Sequence, residues 1–78
     1  MHPPREHFAQ NLRSHRRRLG LSQEKLAEIC DLHRTEISLL ERRKRSPRLE
    51  TIVSLSAGLK LSSPCELLHG IAVPQQTP

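Results

Sequence analysis

The sequence predicts an all-α fold of five short helices, and three observations carry that prediction. Apolar residues recur at helical spacing along most of the chain, and residues that cap helices stand where the spacing stops. Within "LSQEKLAEICDLHRTEISLLERRKR", Leu21 to Arg45, the pattern halts at Asp31-Leu32-His33 and then resumes. That interruption predicts two short helices joined by a tight turn in place of one long helix.

Helix one starts at Pro3-Pro4, because proline has no N–H to lose at a first helical position. Phe8, Leu12, His15 and Leu19 follow on one face. Gly20 serves as its C-cap, and Ser22 as N-cap of helix two, Gln23 to about Cys30, with Leu26, Ile29 and Cys30 inward. Lys25 stands where a capping-box Glu would be, so Ser22 caps alone. In the turn, Leu32 points inward, His33 precedes the next helix, and Asp31 takes a left-handed backbone, which Asp tolerates better than most residues.

Helix three runs from about Arg34 to Arg42. At about 100° per residue, Ile37 and Leu40 point one way and Thr35, Ser38, Leu39 and Arg42 the other. Arg34 and Glu41 occupy one flank and Glu36 the opposite one. A basic loop of Arg43, Lys44, Arg45 and Ser46 leads to Pro47, which is expected to start helix four. Leu49, Ile52, Val53, Leu55 and Leu59 cover an arc of that helix wider than a small core needs. Ser63-Pro64-Cys65-Glu66 combines an N-cap, a Pro at the first helical position and a capping-box Glu, so a fifth helix with Leu67, Leu68 and Ile71 should follow and end near Gly70. One domain over residues 1–71 and a disordered tail over 72–78 result.

Seventy-eight residues form a small core, since a chain of this size buries only about 60% of the surface its unfolded form exposes. A partner subunit would add stability. Thirteen Lys and Arg against eight Asp and Glu, with a pI near 10.3, favour an anionic partner. The charge is grouped as Arg13, Arg16, Arg17 and Arg18, and as Arg42, Arg43, Lys44, Arg45 and Arg48, leaving only Lys60 afterwards. Solvated helix faces would explain either cluster alone, but less readily two that flank one interrupted helix.

Phe8 is the only aromatic residue. Single-strand binders and RNA-recognition sheets stack bases on aromatic platforms and are disfavoured, whereas duplex binding needs no such platform. No apolar run approaches the 18 or so residues that span a bilayer, and no charged-then-apolar leader opens the chain. The expected location is cytoplasmic, with no membrane partner. Cys30 and Cys65 should be thiols there, Cys30 filling a small buried space. His2, His7, His15, His33 and His69 make no ligand-like constellation, so no metal or other cofactor is expected. No phosphate loop, catalytic triad or paired carboxylates placed for acid–base work can be named.

The stretch from Leu19 to Leu68 resembles the helix-turn-helix family that includes the phage repressors and Cro. The markers are Leu21-Ser22-Gln23-Glu24 opening helix two, Ile37-Ser38 within helix three, Leu40-Glu41-Arg42 at its end, and Pro47 with Leu49 and Ile52 afterwards. Within that family, Leu32-His33-Arg34-Thr35 followed by Ile37-Ser38, in a short chain without an effector domain, is most similar to the small controller proteins of restriction-modification systems. Three positions depart from the pattern: Asp31, Arg43 and Lys60 stand where the family commonly has Gly.

The resemblance implies a five-helix repressor-like domain with helix three in the major groove, and a homodimer on a pseudo-palindromic operator. Carried over by position, Arg34, Thr35, Ser38 and Leu39 face base edges, while Gln23, His33, Arg42, Arg43 and Lys44 hold phosphates. Arg16 and Glu41 match the internal pair that ties helix one to helix three. Arg34 suits guanine O6 and N7, with a phosphate contact as its alternative. Thr35 serves a base or the helix cap, Leu39 a thymine methyl or the helix margin, and Glu36 cytosine N4 or the positive end of helix three. The surplus apolar surface of Leu49, Ile52, Val53, Leu59 and Leu67 is the expected dimer interface. The expected function is transcriptional regulation by sequence-specific binding to double-stranded DNA, with an antitoxin-like protein-interaction subunit as the alternative and an enzyme the least supported class.

Overall fold

Helical periodicity and local caps produce four α-helices in the computed structural model, which describes residues 4–73. They are α1 (Pro4–Arg18), α2 (Gln23–Cys30), α3 (Arg34–Glu41) and α4 (Leu49–Gly58), followed by a single 3₁₀ segment, Pro64–Leu68. No strand occurs among the described residues. Pro3 and positions 74–78 of the expected tail lie outside them.

Each joint has a local cause. Arg16, Arg17 and Arg18 crowd the last turn of α1, where the carbonyl ends attract positive charge. The helix closes through Gly20, at φ 69°, with Gly20 N donating to Arg17 O at 2.9 Å. Leu19 therefore lies beyond the helix and is exposed, although its spacing places it on the apolar face. Ser22 Oγ accepts from Lys25 N at 3.0 Å and starts α2. Asp31 stops α2 in the left-handed conformation, φ 55° and ψ 46°, while Leu32 N donates to Ala27 O at 2.8 Å. Leu32 packs against the core, as its place in the turn predicts.

The core unites Phe8 and Leu12 of α1, Leu26, Ala27 and Cys30 of α2, Ile37 and Leu40 of α3, and Leu55, Leu59 and Leu67 from the C-terminal part. Burial of each large aliphatic side chain contributes about 1.5–3 kcal/mol. Helices α2 and α4 approach closely at Gly58, where a Cβ would collide with Cys30 Sγ. Burial pushes the Cys30 thiol pKa up, which keeps this sulfur in its neutral form.

Three expectations need correction. The fourth helix begins at Leu49, two residues after Pro47. Ser46, which would cap a helix started by Pro47, instead accepts a hydrogen bond from Arg5 Nε at 2.8 Å. The fifth segment keeps its capping box, with Ser63 Oγ accepting from Cys65 N and Glu66 accepting from Ser63 N, but it is a five-residue 3₁₀ turn and no α-helix. The Asn11 amide takes the carbonyls of Leu67 and His69, each at 2.9 Å, and Gly70 turns the chain away at φ 84°. Finally, Ile29 is largely exposed despite its helical spacing with Leu26, because α2 presents Leu26, Ala27 and Cys30 to the core.

Candidate nucleic-acid interface

Helix α3 has eight residues, and its inward side is occupied by Ile37 and Leu40. With those two anchored, Arg34 and Thr35 are left exposed and Ser38 and Leu39 half-exposed. Arg34, Thr35, Ser38 and Arg42 line one shallow recess on this outward side. Thr35 and Leu39 also line a second groove, together with His33, Glu36, Arg45 and Arg48. The four residues assigned to base edges thus form one continuous surface flanked by guanidinium groups. A helix with a polar outward face of this size matches the width of the major groove.

The orientation of α3 is fixed from behind by Glu41. Its carboxylate is 2% exposed and accepts from Arg16 Nε at 2.6 Å and from Arg16 Nη2 at 2.9 Å. Arg16 Nη1 also donates to Leu21 O at 2.8 Å, so one guanidinium ties α1, the loop before α2 and α3 together. Arg13 Nη2 adds a bond to the Glu41 carbonyl at 2.9 Å. Burial alone would raise the Glu41 pKa. The hydrogen bonds from Arg16 and Gln23, with the charges of Arg16 and Arg13, outweigh that effect and hold the carboxyl below its ordinary range. The same partnership raises the Arg16 pKa.

Gln23, expected at a phosphate, donates through Nε2 to Glu41 Oε1 at 3.1 Å. An amide nitrogen carries two N–H groups, so this bond uses one of them. His33 precedes α3 as its N-cap residue without a side-chain capping bond, and it is exposed. Arg42 Nε bends back to Ser38 O at 3.4 Å. Lys44 is exposed. Arg43 stands at φ 62° and contacts Glu6 Oε1 at 3.2 Å.

The expected dimer surface divides in two. Leu49 and Val53 are 71% and 51% exposed, and Ile52 is half-buried at their side. Leu59 and Leu67 are fully buried in the chain's own core and have no surface to offer a second copy. Their apolar character serves folding, and helical periodicity alone does not separate the two uses.

Sequence reading misses the contacts of Arg43 with Glu6 and of Arg45 with Glu36, the latter at 2.6 Å. Neither pair has the spacing of helical neighbours, so no local rule announces them. Among the described residues, no group of three or more His, Cys, Asp or Glu side chains is arranged to hold a metal ion. No helix there is long and apolar enough to cross a membrane.

Residues 12–67 match the helix-turn-helix sequence family HTH_3. The chain is 47% identical over 60 residues to the control protein C.SmaI of Serratia marcescens, which covers 77% of this chain and 71% of that protein. It is also 47% identical over 53 residues to the control protein C.BamHI of Bacillus amyloliquefaciens, covering 67% and 65% of the two chains. The crystal structure of the restriction-modification controller protein C.AhdI from Aeromonas hydrophila superposes with a TM-score of 0.77 at 38% identity, covering 81% of this chain and 94% of that one.

Proposed function

The chain belongs to the helix-turn-helix family of DNA-binding transcription regulators, which are not enzymes, and from that premise we propose that it acts as a controller-type regulator that binds a pseudo-palindromic operator as a homodimer in the cytoplasm. The observation that carries the proposal is the division of α3 into two sides. Ile37, Leu40 and Glu41 are buried, while Arg34, Thr35, Ser38 and Leu39 look outward between basic residues.

In this reading α3 lies in the major groove. Arg34 donates two hydrogen bonds to a guanine, a contact worth roughly 1–3 kcal/mol of discrimination. Thr35 and Ser38 bond adjacent base edges, and Leu39 touches a thymine methyl. Gln23, His33, Arg42, Arg43 and Lys44 hold the flanking phosphates, which set register and affinity and carry no base information. Leu49, Ile52 and Val53 meet their copies across a two-fold axis and place the two α3 helices about one helical turn of DNA apart, roughly 34 Å.

Selection of bound duplexes from a random-sequence pool tests this reading. It predicts enrichment of a two-fold-symmetric site whose halves lie one turn, or a whole number of turns, apart. Enrichment of an unpaired half-site would remove the dimer, and retention without any preferred sequence would remove base reading altogether.

A further inference from the structure

Two kinds of Arg–Glu pair coexist in this molecule, and the difference between them has a functional consequence. Arg16 and Glu41 are joined by two parallel hydrogen bonds in a buried setting. Arg45 reaches Glu36 through a single Nη1–Oε1 bond at 2.6 Å, and its side chain remains 53% exposed while that of Glu36 is 22% exposed. Arg45 also borders the groove shared by Thr35 and Leu39, at the edge of the outward side of α3.

A guanidinium in that place is suited to a DNA phosphate beside the major groove, but in the free protein a carboxylate already neutralises it. A carboxylate and a phosphate at the same guanidinium repel each other. An exposed, singly bonded pair is weak enough for one anion to replace the other. We propose that Arg45 is a phosphate contact that Glu36 holds in reserve, so that DNA binding exchanges the Glu36 carboxylate for a backbone phosphate. Glu36 thereby lowers affinity for operator and random duplex alike. Arg43, exposed and bonded to Glu6 Oε1 at 3.2 Å, repeats the arrangement on the α1 side. The inference rests on the orientation of α3 proposed above.

The test is a double-mutant cycle of Glu36→Gln and Arg45→Ala, with affinity for a random-sequence duplex and for a selected operator measured across salt concentrations. Circular dichroism melting checks that each variant is folded at the assay temperature, and Glu36→Ala serves as a second removal of the carboxylate. Glu36→Gln should tighten binding to both duplexes roughly two- to fivefold. Arg45→Ala should weaken binding and reduce the slope of log K against log salt by about 0.9, the value for one phosphate. In the Arg45→Ala background the gain from Glu36→Gln should vanish. Weaker binding by Glu36→Gln would mean that Glu36 positions Arg45, and an equal gain in both backgrounds would mean general charge repulsion. Either result overturns the exchange, as does an unchanged salt slope in Arg45→Ala. Arg34→Ala, run alongside, reports separately on the orientation of α3, since Arg34 takes no part in the exchange and its loss should alter base preference alone. Absence of duplex binding by the unmodified protein would overturn both.

Discussion

Arg16 and Glu41 join α1 to α3 through two hydrogen bonds, of 2.6 and 2.9 Å, with side chains 12% and 2% exposed. Glu41 belongs to the buried side of α3, so the orientation of that helix against α1 depends on the pair. Removing one partner strands the other charge in a site with little water. Arg16→Ala and Glu41→Ala should each lower the free energy of unfolding by about 3–5 kcal/mol, measured by urea denaturation. Small domains have only about 5–15 kcal/mol in total, so either variant approaches the limit of folding. The double variant should lose less than the sum of the two.

Acid should expose the same pair. The folded-state pKa of Glu41 lies below its ordinary value, so between the two values the unfolded chain binds more protons than the folded one. Stability therefore rises with pH in that window: it is fully present above the unfolded carboxylate pKa of about 4.3 and is lost as pH falls through the folded one. A pH series of thermal melts should show this decline, and Glu41→Gln should remove the part of it that belongs to this carboxylate.

Asp31, Arg43 and Lys60 adopt φ of 55°, 62° and 59°, the left-handed region where glycine is unstrained. All three stand where the family resemblance leads one to expect Gly. A left-handed non-glycine residue costs roughly 1–2 kcal/mol, partly offset by the roughly 0.4–1 kcal/mol that glycine adds in unfolded-state entropy. Asp31→Gly and Lys60→Gly should thus stabilise the protein by up to about 1 kcal/mol, a rise of roughly 4–8 °C in melting temperature per kcal/mol for a chain of this size. Arg43→Gly should stabilise similarly while weakening DNA binding.

The two apolar groups of the C-terminal part should separate in their effects. Leu49→Asp combined with Val53→Asp should leave the fold intact and shift the protein to monomers in sedimentation equilibrium. Leu59→Ala or Leu67→Ala should instead cost about 2–5 kcal/mol of stability, because both side chains are fully buried. Persistence of a dimer after the paired Asp substitutions would move the interface away from α4.

Features set by neighbours a few residues apart are legible in the sequence: the turn at Asp31-Leu32-His33, the Ser22 cap and the Ser63–Glu66 capping box all follow from local hydrogen-bonding chemistry. What depends on distant partners is not. The last segment stops as a short 3₁₀ turn because Asn11, on α1, takes the carbonyls of Leu67 and His69, and nothing near Leu67 signals that competition. Arg45 reads as one more charge in a basic run until its contact with Glu36 is seen. The pairing of Arg16 with Glu41 is reached in the sequence through family resemblance, with the helical wheel only placing both at the edge of an apolar stripe. The outward side of α3 needs less, since burial of Ile37 and Leu40 leaves one orientation for the rest of the helix.

Base reading by α3 is tested most directly by titrating the unmodified protein and Arg34→Ala against every single-base variant of a selected operator at fixed salt. The predicted result is that Arg34→Ala loses about 1–3 kcal/mol of discrimination at one base pair in each half-site and keeps the preference elsewhere. Uniform weakening across all variants, with the base preferences of the unmodified protein preserved, would place Arg34 on a phosphate and contradict its role as the reader.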